Sequence, residues 1–483
     1  MANTETNGTS STGLQSKDKA LKYVYPTTEV GGGVWKAYFS TYINMLYTDI
    51  YLIPVGLAGV LELVTQFTGW FAAPIFGTIL DRFTFKKGKY WPWILGGSIL
   101  MALIYVIQFT VPFVSLDPSS TAFFIFILAI ALAFADAMTN TTMLSCYPKM
   151  ASTQADRTFL SSARQVGKNV SQSFFGFLTP LMILFFAASD TPNAEGWAKT
   201  AWVLAPLGLI FYILFAVLLK RSDLEKNMVE QRNAASSGKK KMSVIAIFKS
   251  VFTNRALLAI FLFFAIYQLF IFTQSMTASY LFRYYYGDFA KVSIYQSVRT
   301  LCIAGGTLLG IFWRKIFGDT KRAFIAANIG MIASIASLIF LIPLGPMVFI
   351  GVTFVQNLFC GIIAALLLPM FAAASDYGTY KTGVRADGLN MSAYTLAIKV
   401  GIALSATFRA SILSASGYDA TLYTDGNLPT EQVFSALRNM QSIYPLIFAV
   451  IALALVIFLY PVTDKKLAEM REEIAKRDAA EEA

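Results

Sequence analysis

The chain has 483 residues, of which 56% are hydrophobic, 15% aromatic and only 14% charged, and its mean hydropathy is +0.57. Such a composition excludes an ordinary soluble domain. Histidine is absent, which removes histidine proton relays and every His-dependent catalytic arrangement.

Residues 1–31 are rich in Ser, Thr, Asn and Gly and lack a basic segment leading into an apolar core. They read as a disordered tail without a cleaved signal. Apolar stretches long enough to cross a bilayer then recur at 32–52, 55–80, 91–113, 121–144, 162–187 and 202–219, and again at 256–277, 292–313, 323–342, 347–371, 389–413 and 443–460. On window length these are twelve transmembrane helices. A polar, lysine-bearing stretch over 220–255 separates them into two six-helix bundles, 32–219 and 256–460, and residues 461–483 form a charged tail.

Basic residues crowd into alternate connections: Arg82, Lys86, Lys87 and Lys89; Lys149 and Arg157; the 220–255 segment; Arg314, Lys315, Lys321 and Arg322; Lys381 and Arg385. The positive-inside rule makes those connections, and both termini, cytoplasmic in a multi-pass cell-membrane protein. The net charge of +11 is then anchoring to anionic lipid, with no nucleic-acid partner implied. Cys146, Cys302 and Cys360 are far apart, in or beside membrane segments, without metal-ligand spacing. They are expected as small core residues. Tyr284–Tyr286, Trp91 and Trp93 fall at span ends, where aromatic belts are the default.

Lys399 stands within the apolar stretch 389–413, about 14 Å deep at 1.5 Å per residue. A charge there needs a partner or a water-filled cavity. Glu62, Gln66, Gly69 and Ala73 follow a helical stripe, as do Asp136 with Asn140 and Arg164 with Lys168 and Gln172, and Lys36 lies about a turn into the first span. Each has a plainer reading beside the functional one. Asp136 can pair with Lys168 or Arg164 simply to neutralise buried charge, Lys36 and Arg164 can snorkel to headgroups, and Glu62 can be a solvated rim acid. Arg299 has the same ambiguity.

The 81–89 connection (Asp81, Arg82, Lys86, Lys87, Lys89) has a counterpart at 313–322, which suggests duplicated halves with a midplane site between them. Gly77–Asp81 with Gly88-Lys89-Tyr90-Trp91-Pro92-Trp93, then Pro148, Arg157-Thr158 and Arg164, then Asp376-Tyr377-Gly378-x-x-Lys381-Thr382-Gly383-x-Arg385-x-Asp387-Gly388-Leu389 with Ser392 and Lys399, resemble the glycoside–pentoside–hexuronide:cation symporters. That resemblance implies the all-α major facilitator fold, alternating access and sugar uptake driven by sodium, proton or lithium. It carries Arg164 and Lys399 over as site residues and gives the charged turns a gating role. Gly69 and Ala73 stand where the family has two helix-two acids, and Gly33 and Asn140 where it has two more, which puts sodium coupling at that site in doubt.

No phosphate-binding loop, His/Cys cluster or nucleophile elbow occurs, so no enzyme activity and no cofactor are expected. The sequence therefore predicts a monomeric secondary transporter that imports a sugar, glycoside or uronide with a cation, H+ before Na+. Its substrate site is expected at Lys36, Gln66, Asn140, Arg164, Lys168 and Lys399, and its coupling acid at Asp136 or Glu62. A cytoplasmic gate is expected at Asp81, Arg82, Lys89, Asp376, Lys381, Arg385 and Asp387. Rival readings are a carrier of non-sugar organic anions and a solute sensor that does not transport.

Overall fold

The structure is a computed structural model, and it describes residues 19–83, 85, 88–110, 115–150, 154–222, 254–382, 387–423 and 428–482. Among the described residues, twelve long helical segments follow one another ahead of a C-terminal helix. The first, α1, joins Thr27–Trp35, a π-helical turn at Lys36–Ser40, Thr41–Met45 and a second π-helical turn at Leu46–Ile50. Then come α2 (Val55–Arg82), α3 (Trp91–Phe109), α4 (Pro118–Met150), α5 (Gln154–Ala187) and α6 (Ala194–Arg221). The second half supplies α7 (Arg255–Tyr285), α8 (Val292–Phe317), α9 (Thr320–Leu341), α10 (Pro346–Thr382), α11 (Asp387–Ala415) and α12 (Glu431–Leu459). Ten of these are long and apolar enough to span a bilayer. The other two, α1 and α8, are of comparable length and carry more polar side chains.

Sequence chemistry sets many of the helix ends. The side chains of Asn193, Asn254 and Asp319 accept from the backbone N–H three residues on, at 2.9, 3.1 and 3.1 Å, which satisfies otherwise orphaned donors at the starts of α6, α7 and α9. Gly318 ends α8 at φ 68°, a left-handed conformation that glycine adopts without strain.

Two boundaries differ from the sequence reading, and the C-terminal tail is helical. Helix begins at Lys19, not beyond residue 31, because the small residues there are packing surface: the Tyr25 hydroxyl donates to the Met143 carbonyl at 3.0 Å and Gly31 lies against Gly208. The last span begins at Glu431 with an amphipathic stretch whose buried face is Val433, Ala436, Leu437 and Met440. The C-terminal tail forms α13 (Asp464–Glu482), tied back by Asp464 to the Thr320 hydroxyl at 3.0 Å. Of the central 220–255 segment, only its two ends fall within the described residues.

We refer to the face that carries both chain ends as the terminal face and the opposite one as the distal face. Buried apolar side chains form two cores among the described residues. One takes in the first half together with the distal ends of the second, including Tyr280, Tyr295, Phe349, Leu413 and Tyr418. The other holds only second-half residues nearer the terminal face, among them Phe263, Phe324, Phe371 and Val456. The halves are thus fused by apolar packing on the distal side and parted toward the terminal side.

A water-accessible charged cavity sealed on the distal side

Two buried ion-pair clusters lock the halves together at the distal face. Asp49, in the second π-turn of α1, accepts from Arg283 Nη1 at 2.6 Å, from the Tyr284 hydroxyl at 2.7 Å and from the Tyr418 hydroxyl at 2.6 Å, and its side chain is 1% exposed. The adjacent Thr48 hydroxyl bonds Tyr280 at 2.8 Å. Nearer the middle, Arg409 of α11 pairs with Glu62 of α2, the side chains being 6% and 9% exposed. Asn44 donates to the same carboxylate at 2.9 Å, and Arg409 also donates to Ser405 at 2.6 Å. Buried pairs persist only when hydrogen bonds complete their shells, and both clusters meet that condition.

Beyond this seal lie Lys36, Asp136, Lys168 and Lys399, well inside α1, α4, α5 and α11, and Arg299, two turns into α8. Lys36, Asp136 and Asn140 are solvent-exposed, although each lies well inside its helix, and the charges of Lys399 and Lys36 both act on Asp136. Exposed charged side chains well inside their helices, acting on one another from both halves, point to a polar cleft between the halves. Asn140 donates to Asp136 at 2.6 Å. Lys399 Nζ donates across the halves to the Gly69 carbonyl at 3.2 Å, so the backbone of α2 takes the place where the family resemblance expects an acid. A Cβ on Gly69 would meet nothing within 4 Å; that position faces open space.

The sequence-derived site therefore divides. Lys36, Asn140, Lys168, Lys399 and Asp136 are brought toward one another, and Gln66 lies half-buried on α2, without a side-chain hydrogen bond among the described residues. Arg164 is a correction: it is bound to Glu29, its Nε 2.9 Å from Oε1, and sits over the Tyr25 ring at 5.2 Å, because α1 starts early enough to put a carboxylate there. Glu62 is likewise neither a rim acid nor open to the cavity, since Arg409 holds it. Among the gate residues, Asp376 accepts from Arg471 of α13 at 2.8 Å, within its own half. Lys89 lies over the Tyr90 ring at 5.5 Å, and Lys381 is exposed. Asp81, Arg82 and Asp387 stand at helix ends, their side chains outside the described atoms, and Arg385 lies outside the described residues.

Sequence reasoning passed over Glu29, Asp49, Arg283 and Arg409. Equal depth was the available signal for one pair: Glu62 lies seven residues into α2 and Arg409 six from the end of α11.

The sequence profile of the family described as MFS/sugar transport protein matches residues 24–464. The chain belongs to that family. It is 24% identical to the isoprimeverose transporter of Lactiplantibacillus pentosus over 91% of this chain and 88% of that one. It is 26% identical to a putative sulfoquinovose importer of Escherichia coli K12 over 96% and 95%. In shape it matches a bacterial homologue of the lysosomal transporter Spinster, solved inward-facing and unoccupied, at a TM-score of 0.64 and 14% identity, covering 93% of this chain and 98% of that one.

Proposed function

We propose that this protein is a sugar–proton symporter of the cell membrane, that its terminal face is cytoplasmic, and that Asp136 carries the coupled proton. One observation carries the last point. Glu29, Asp49 and Glu62 are each held by an arginine, whereas among the described residues Asp136 has only Asn140 as a direct partner and is exposed. Those three carboxylates are engaged in ion pairs that hold helices together. An unpaired carboxylate in a cavity that opens to each side in turn can load and unload one.

Protonation also has a mechanical effect. Ionised Asp136, on the first half, attracts Lys399 on the second; once neutral it releases that attraction, and bound sugar can take over the bridge. Sodium, a hard cation, needs several oxygen ligands, and Gly69 and Ala73 supply no carboxylate. The positive-inside charge pattern supports the cytoplasmic terminal face.

The test is uptake of labelled sugars into vesicles under separate proton and sodium gradients. Accumulation should follow the proton gradient, and Asp136→Asn should abolish it while leaving downhill sugar exchange. Accumulation that tracks sodium and ignores pH would refute proton coupling.

A further inference from the structure

Lys36, Lys168 and Arg299 come to one wall of the cavity because of how α1, α5 and α8 are seated. Gly33 lies so close to α5 that a Cβ on it would stand 2.7 Å from Ser171 and 3.1 Å from the Lys168 carbonyl. Lys36, three residues on, is therefore carried along α5 beside Lys168. On the other flank of α5, the hydroxyls of Ser297 and Ser173 each donate to the other's carbonyl, at 2.9 and 3.4 Å. Gln296 closes against Gly176 there, and Arg299 follows three residues later. The charges of Lys168 and Arg299 both bear on Lys36, that of Lys168 more strongly.

None of these three cations has an ion pair or a side-chain hydrogen bond among the described residues. The acids that reach Lys36 are Glu29 and Asp136. Glu29 is bound to Arg164, and Asp136 is shared with Lys399. Three like charges gathered inside the helix bundle without a protein counter-ion repel one another, and a bound anion would supply the missing negative charge.

We propose that Lys36, Lys168 and Arg299 form an anion site for the carboxylate or sulfonate of an acidic sugar. The proposal rests on the sugar-transport reading and narrows it to a substrate class. Arg299 offers two parallel N–H donors to a planar carboxylate or to two sulfonate oxygens, and the lysines add point charges. Lys36 and Lys168 belong to the first half and Arg299 to the second. An empty site thus sets like charges against each other across the cavity, and a filled one bridges them, so the acidic group makes closure over the substrate favourable.

The experiment uses the full-length protein in proteoliposomes and in thermal-shift assays, with glucuronate, 6-deoxy-6-sulfoglucose and neutral methyl glucoside as probes. One or both acidic sugars should raise the melting temperature and accumulate, and methyl glucoside should do neither. Which acid is preferred separates carboxylate from sulfonate. Arg299→Gln should weaken acidic-sugar binding about 10- to 100-fold, the range for losing a charge-assisted hydrogen bond. Arg299→Lys should restore part of it, and Lys36→Gln should lower the sensitivity of binding to ionic strength. Methyl glucoside binding as tightly as the acidic sugars, or Arg299→Gln and Lys36→Gln both leaving acidic-sugar affinity unchanged in folded protein, overturns the anion site and leaves the symporter intact. No shift and no uptake with any probe defeats the sugar reading itself, and the anion site with it.

Discussion

Gly33 and Gly69 both stand where the family resemblance expects a carboxylate, and packing treats them in opposite ways. Gly33 is pressed onto α5, with 2.7 Å from its would-be Cβ to Ser171. Gly69 faces open space and lends its carbonyl to Lys399. Gly33→Ala should therefore cost about 1–3 kcal/mol through overpacking, read as a lowered melting temperature in detergent, while Gly69→Ala should leave the melt nearly unchanged. Arg164 teaches a related lesson. The chain shows it as an isolated cation in a membrane helix, and only the fold brings Glu29, 135 residues away in sequence, into contact. Arg164→Ala should accordingly act on stability by stranding Glu29, an effect that Glu29→Gln should relieve in the double variant.

At the scale of elements, the distal seal is made where helices depart from α geometry. α1 ends in a π-turn at Leu46–Ile50 that presents Asp49, and α7 ends in one at Leu281–Tyr285 that presents Arg283 and Tyr284. These are the first helices of the two halves, so the paired π-turns fit a duplicated architecture. Such turns redirect side chains and concentrate at functional sites. Arg409→Ala leaves Glu62 buried without its partner, a loss of about 3–5 kcal/mol in the sealed state. The expected outcome is a population shift toward the distally open state. A cysteine placed at Ala406, 1% exposed, should then react faster with a membrane-impermeant maleimide. Unchanged reactivity would mean that the pair does not hold the seal.

For the whole molecule, the division of the apolar core decides which way the cavity opens. The core is shared between halves on the distal side and split toward the terminal side, and Ser173 and Ser297 join α5 to α8 across the halves. Alternating access must break that shared packing. Linking Ser173→Cys to Ser297→Cys with a short bifunctional reagent should stop uptake, and a reducible linker should restore it on reduction; transport that continues through the link would exclude parting at this seam. Spans, the membrane setting and the family were legible in the sequence, because hydropathy, loop charge and the 376–399 motif are local properties of the chain. Lys36, Asp136, Lys168 and Lys399 stand out in the sequence as candidates, since a charge inside an apolar helix is conspicuous wherever it points. What the linear chain withheld was pairing. Glu29 with Arg164, Glu62 with Arg409 and Asp49 with Arg283 are contacts between residues 135, 347 and 234 positions apart, set by helix rotation and depth, which period and composition do not encode. Tertiary structure alone therefore separated the acids held by arginine from Asp136, and the cations already paired from Lys36, Lys168 and Arg299.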